Sequence, residues 1–312
     1  MARRLPIAPL PRFLAPAVVS VVLFPPVTAG AQSIVAHRGA SHDAPENTLA
    51  AFRLAWTRGA DAIEGDFYLT RDHRIVCIHD ESTKRTAGVD RRVQEATLDE
   101  LRQLDVGSWK SPAYRGERIP TLEEVLRTVP ACKRILIEIK CGPEIVPYLS
   151  RVLQKSRLSP AQTTVIAFDA DVVKAVREQI PSIEAYWLVY FKKDEQTGIW
   201  SPSLESILDT LTTCRAHGLD MHANFEVVDR PFLDAIRQQG YQVHLWTIDD
   251  PDDARRARQL GVDSITTNRP AKLKEILQGP SPLLDAGAPS DSGRRRPFLR
   301  QRRLRRRAAR KH

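Results

Sequence analysis

No cysteines stand at a CxxC or comparable metal-type spacing anywhere in the 312 residues, which removes a thiolate zinc site from consideration. No glycine-rich dinucleotide fingerprint follows a predicted strand, so nothing supports a nucleotide-binding doubly wound sheet. Long apolar runs are missing too. Phe13–Phe24 spans 12 residues, short of the roughly 20 a membrane-spanning helix needs. Acidic residues are absent from residues 294–312, where eleven Arg and Lys cluster. With that run and Arg3, Arg4 and Arg12 set aside, residues 32–293 hold 33 Lys+Arg against 38 Asp+Glu, although the whole chain carries +9. The body is therefore not a globally basic nucleic-acid-binding domain.

What is present at the N-terminus has the order of an export signal. Arg3 and Arg4 are followed by the apolar run and by Ala29-Gly30-Ala31, a small-residue cleavage site. Residues 1–31 are read as a signal peptide, with export to the periplasm or medium and a mature start near Gln32; an uncleaved anchor is the alternative. No cysteine lies nearby to suggest a lipoprotein. Cys132 and Cys141 flank a predicted strand, which sets them nearly 30 Å apart at about 3.3 Å per residue, beyond disulfide reach. Cys77 sits in a predicted strand as core filling and Cys214 is unplaced, so free structural thiols are expected.

After the leader, strands alternate with amphipathic helices. The pattern predicts strands over Ser33–His37, Ala62–Leu69, Ile75–His79, Ile135–Lys140, Thr164–Ala167, Ala185–Val189, Leu219–Ala223, Gln242–Thr247 and Ser264–Thr267. One of the nine, Ile75–His79, follows its predecessor by a hairpin-length turn at Arg71-Asp72-His73. Eight parallel strands remain, and they predict an α/β fold, a (β/α)8 TIM barrel with a short insertion after the third strand. A doubly wound open sheet is the runner-up. From Gly279 the texture changes to Pro, Gly and Ser and then to arginine, so residues 32–279 form the predicted domain and residues 280–312 a disordered Arg-rich tail.

Chemistry-bearing residues gather at the carboxyl ends of predicted strands, where barrel enzymes build their sites. His37-Arg38-Gly39 ends the first strand: Arg38 offers a planar fork suited to phosphate, and Gly39 lets the backbone turn tightly. Asn47 and Thr48 read as caps for the following helix. Glu64 and Asp66 share a strand face by the period of two, and two acids inside a barrel repel unless a cation lies between them. Hard oxygen donors of this kind suit Mg²⁺ or Ca²⁺. An outward, solvated pair is the competing reading. Glu138 and Lys140 repeat the spacing, as a third ligand beside a phosphate-binding charge or as a simple ion pair. His79 closes another strand; it is either structural or, with His37, one of two imidazoles for general acid–base work.

The run HRGASHDAPENTLAAFRLAWTRGADAIEGDFYLTRDHRIVCIHD (37–80) resembles the N-terminal signature of the glycerophosphodiester phosphodiesterase family. The similarity continues through GERIPTLEEVL (116–126), ILIEIK (135–140), HLWTID (244–249) and GVDSITTNRP (261–270). The resemblance implies a (β/α)8 barrel that splits glycerophosphodiesters into an alcohol and sn-glycerol 3-phosphate. It implies His37 and His79 as the acid–base pair, and Glu64, Asp66 and Glu138 as ligands of a divalent metal ion (Mg²⁺ or Ca²⁺). It places Arg38 and Lys140 at the phosphate and Trp246 in the substrate pocket. Gly65 and His73 depart from the family pattern: Gly65 is expected to loosen the strand or widen the pocket, and His73 to be cosmetic if Asp72 carries the turn. The segment between His79 and Thr121 is a short version of the family's insertion, the lid over the alcohol. A lysophospholipase D-type activity is the alternative, and a non-catalytic anion- or surface-binding protein a further one. No specific nucleic acid is expected, only nonspecific anionic contact through the tail.

Overall fold

The computed structural model describes residues 32–279. The signal-peptide reading of residues 1–31 and the tail reading of 280–312 lie outside the described residues. The strands are β1 (Ser33–Ala36), β2 (Ala62–Leu69), β3 (Ile75–Cys77), β4 (Arg134–Ile139), β5 (Thr163–Ala167), β6 (Glu184–Val189), β7 (Lys192–Lys193), β8 (Trp200–Ser201), β9 (Gly218–His222), β10 (Gln242–Trp246) and β11 (Ser264–Thr267). Eight of them run parallel in the order β1-β11-β10-β9-β6-β5-β4-β2, and β1 pairs β2 to close the ring. This is the predicted TIM barrel. β3 hangs antiparallel from the end of β2, and β7–β8 is a small hairpin beyond β6 that the sequence pattern did not suggest.

Parallel strands covered on both faces read as continuous apolar runs, and β2 is buried along all eight residues. Ala62 packs inside the barrel with Val35, Leu136, Ile166, Tyr186 and Leu188. Ile63 and Phe67 pack outward into the layer that holds Phe52 of the helix Leu49–Thr57. Gly65 faces the same outer layer: a Cβ there would lie 3.0 Å from Phe52 Cζ and 3.2 Å from Cys77 Sγ. Gly65 therefore tightens helix-to-strand packing and does not open the pocket, which lies on the other face of the strand. His73 itself takes the left-handed turn conformation (φ 60°), so its change is not merely cosmetic, while Asp72 Oδ1 accepts from Thr70 Oγ1 in the same turn. All four cysteines are unpaired; Cys77 and Cys214 are buried and Cys132 is exposed.

Local signals hold at the helix starts. Thr48 caps Leu49–Thr57 by accepting from Ala51 N, and Thr121 with Glu124 forms a capping box. The helices Leu98–Arg102 and Leu122–Leu126 are short, five residues each. The insertion after β3 has its own core of Val93, Leu98, Leu101, Val106 and Ile119, packed on Tyr68, Val76 and Ile78. Lys110 Nζ and Tyr114 Oη fasten it to the carbonyls of Ser41 and Asp43 in the loop after β1. At the amino-terminal mouth, Glu184 accepts from Arg134, Tyr186 and Gln242, a plug that leaves the other mouth for chemistry. Among the described residues no helix is long and apolar enough to cross a membrane.

Candidate active site

Every site residue expected from sequence lies toward the barrel mouth at which β1 ends. His37 and Arg38 follow β1, Glu64 and Asp66 lie in β2, His79 lies just beyond β3, Glu138 and Lys140 end β4, and Trp246 ends β10. Asp66 stands directly beside Glu138 in the parallel register, which points both side chains into the barrel. One carboxylate oxygen from each of Glu64, Asp66 and Glu138 falls within 4.8 Å of the others, and all three residues are buried.

These oxygens are incompletely satisfied. Glu64 Oε2 accepts the backbone N–H of Arg38 at 2.8 Å, while Oε1 is buried without a hydrogen bond. Asp66 Oδ2 accepts from Asn47 Nδ2 at 2.8 Å and lies 3.1 Å from Arg38 Nε. Its Oδ1 accepts no hydrogen bond, with the Lys140 ammonium 3.5 Å away. Lys140 Nζ also meets Glu138 Oε1 at 2.6 Å, an ion pair that sits within the acidic cluster. Burial, then the charges of Asp66 and Glu138, push Glu64 well above the ordinary carboxylate range. Burial and Asp66 raise Glu138 to about 7. Asp66 goes the other way: burial opposes its charge, but Arg38 and Lys140 hold it below its usual value. Without a cation, full ionisation of all three carboxylates together is disfavoured. Orphaned buried oxygens and an all-oxygen, strongly anionic donor set fit a hard divalent ion.

The two histidines differ in setting. His37 Nδ1 lies 2.8 Å from Asn268 Oδ1. Asn268 Nδ2 donates to Asp249, which fixes the amide and makes Nδ1 of His37 the donor. Nε2 is left as the acceptor. Burial, reinforced by Arg38, lowers the His37 pKa to about 4, so the ring is neutral at pH 7. His79 instead presents Nδ1 to the Asp80 carboxylate at 2.6 Å.

An aromatic wall faces this polar half. Phe168 after β5, Tyr190 after β6, His222 at the end of β9 and Trp246 form one cluster: Phe168 meets Trp246 edge-on at 5.7 Å, and Tyr190 lies 4.6 Å from His222. Phe168 and Tyr190 are 45% and 50% exposed.

Several participants escaped the sequence reading. Thr48 is the cap, but Asn47 is more than that. In a left-handed conformation (φ 57°) it donates to the Asp66 carboxylate and accepts from the Asp66 N–H and the Cys77 thiol. Asp249 and Asn268, just beyond β10 and β11, orient His37 from the side of β1 opposite β2. Asp220 in β9 is 1% exposed, carries an oxygen without a partner, and is raised to about 8 by burial and by Glu138. Asn47, Asp249 and Asn268 lie within the segments that carry the family resemblance, but spacing alone assigns none of the four a role, because each acquires it from a partner elsewhere in the sequence.

Residues 37–272 match the sequence model of the "Glycerophosphoryl diester phosphodiesterase family". A glycerophosphodiester phosphodiesterase of Caldanaerobacter subterraneus is 30% identical over 249 residues, covering 78% of this chain and 97% of that protein. A Rattus norvegicus protein named lysophospholipase D GDPD1 is 28% identical over 79% of this chain and 86% of its own length. Among solved structures, an Oleispira antarctica phosphodiesterase in complex with the product sn-glycerol-3-phosphate aligns with a TM-score of 0.70 and 27% identity. That alignment covers 79% of this chain and 97% of the other.

Proposed function

Because this chain belongs to the glycerophosphoryl diester phosphodiesterase family, we propose that it hydrolyses glycerophosphodiesters to an alcohol and sn-glycerol 3-phosphate, with a divalent cation and two histidines. The single observation that carries the reading is the buried triad of Glu64, Asp66 and Glu138, with oxygens that lack partners, next to two imidazoles in unlike environments. Glu64, Asp66 and Glu138 would hold the cation, which supplies Lewis-acid activation of an oxygen and neutralises phosphate charge.

The chain's own residues do the rest. Arg38 and Lys140 line the cluster and are placed to pair with phosphate oxygens as negative charge grows. His37, neutral with Nε2 as acceptor, takes the proton of the attacking glycerol hydroxyl, and water then opens the resulting cyclic phosphodiester to give sn-glycerol 3-phosphate. His79, backed by the Asp80 carboxylate, delivers a proton to the leaving alcohol. The aromatic wall of Phe168, Tyr190 and Trp246 receives the less polar part of the substrate and keeps water from that side.

Choline release from glycerophosphocholine tests this, measured after chelation and again with Mg²⁺ or Ca²⁺ restored. Activity lost to chelator and recovered with one cation is expected. Turnover indifferent to chelation would remove the cation from the reaction. A lysophospholipid is the second reading, favoured by the exposed faces of Phe168 and Tyr190, which offer apolar surface to an acyl chain. Choline release from lysophosphatidylcholine in a parallel assay, with none from glycerophosphocholine, would establish it.

A further inference from the structure

The His79 and Arg38 sides of the site are joined by a residue that touches neither. Arg85 lies on the short helix Lys84–Ala87, in the insertion after β3. Its Nε donates to Asp80 Oδ2 at 2.6 Å and its Nη2 to Asp80 Oδ1 at 3.2 Å. The other edge of the same guanidinium donates from Nη1 to Glu46 Oε2 and from Nη2 to Glu46 Oε1, both at 2.8 Å. Each carboxylate then passes the constraint inward. Asp80 Oδ1 accepts from His79 Nδ1, and Glu46 Oε1 accepts from Arg38 Nη1 at 3.1 Å. Arg38 Nε ends the series against Asp66.

We infer that Arg85 is a positioning residue of the active site, clamping in one planar fork the two carboxylates that orient His79 and Arg38. The inference rests on the acid–base and phosphate roles proposed above. Three features support it. The geometry is bidentate toward both carboxylates, which only guanidinium can supply; a lysine would be a point charge with a choice of partner. The Arg85 side chain is 43% exposed, and ion pairs at such sites add little to stability, so the cluster is not explained as a fold-stabilising device. Finally, both carboxylates are held ionised. Burial works against Asp80, yet hydrogen bonds from Arg85 and His79 bring it down to about 2, and Arg85 and Arg38 likewise overcome the burial of Glu46. Four of the five guanidinium N–H groups are directed at carboxylates, which leaves Arg85 poorly placed to bind phosphate itself. The insertion thus does more than cover: it carries the link between a proton-transfer group on one side and a phosphate-binding group on the other.

Full-length wild type, Arg85→Met, Arg85→Lys, Asp80→Asn and the Arg85→Met/Asp80→Asn double variant should be compared with the same glycerophosphodiester and cation. Arg85→Met is expected to lower kcat/KM tenfold or more with an unchanged melting temperature, and Arg85→Lys to recover only part of it. Adding Asp80→Asn to Arg85→Met should cost little more, because the two act through one connection. Fully multiplicative losses, or an Arg85→Met rate within twofold of wild type, would overturn the inference. A second readout does not need turnover: the imidazole ¹⁵N shifts of His79. Read at a pH where the ring is neutral, wild type should show one tautomer with the proton on Nδ1, and Arg85→Met an averaged pair. Identical spectra would sink the inference even if wild type proved inactive on every glycerophosphodiester, a result that would count separately against the proposed function.

Discussion

At pH 7 the His37 ring is neutral because burial and the neighbouring Arg38 both oppose a further positive charge, and Asn268 fixes which nitrogen can accept a proton. His79 has an ionised carboxylate behind it. Unlike environments for like side chains are how a site separates base from acid. Replacing either His37 or His79 by alanine should lower kcat by about 10²–10⁴ while leaving the circular-dichroism spectrum unchanged. A near-normal rate in either variant would refute the pair. Asp220 gives a stability prediction. Its folded-state pKa of about 8 stands above its ordinary 3.8, so the folded chain binds a proton that the unfolded chain releases between those values. Its contribution to stability is complete below pH 3.8 and is lost as pH rises through about 8. In chelated protein, Asp220→Asn should melt near wild type at pH 4 and at least ~3 °C above it at pH 8. An equal difference at both pH values would show that Asp220 does not titrate with folding.

At the scale of elements, the turn between β1 and the helix Leu49–Thr57 concentrates the constraint. Arg38 and Gly39 both have positive φ, 55° and 80°. A Cβ on Gly39 would come within 2.6 Å of the Ala51 carbonyl carbon. Gly39→Ala combines a left-handed backbone with a backbone clash, and should destabilise by about 2 kcal/mol or more. The same turn aims the Arg38 N–H at Glu64, so activity should fall with stability. Thermal melting and kcat measured on one preparation check both; unchanged melting would mean the turn relaxes freely. Gly65 works differently. Its backbone is ordinary, and the need for glycine comes from Phe52 and Cys77 pressing on the strand from outside.

For the whole molecule, three buried acids from two adjacent strands meet at the mouth of the closed ring, and a cation bound there would act as a brace. Binding only to the folded state stabilises by about 2.7 kcal/mol at a hundred times Kd. Chelation of a saturated sample should therefore lower Tm by about 5–10 °C at this chain length, and restoring Mg²⁺ or Ca²⁺ should reverse it. Calorimetry with and without chelator decides the matter. A Tm that ignores both would remove Glu64, Asp66 and Glu138 as ligands.

Much was legible in the chain alone, for a local reason. Side-chain alternation in a strand has a period of two, so Glu64 with Asp66 and Glu138 with Lys140 were placed on common faces from spacing, and eight parallel strands from the rhythm of apolar runs. Capping residues announced helix starts because a cap acts within its own turn. Other features depended on closure of the ring. His37 takes its tautomer from a residue 231 positions away, Asp66 is held by an asparagine whose neighbour is the true cap, and Arg85 reaches across the loop after β1 to Glu46. Those partners become neighbours only when β1 pairs with both β2 and β11. The sequence by itself determined the strand rhythm and the donor set; tertiary structure alone decided the charge state and orientation of each donor, because burial and distant charges set both.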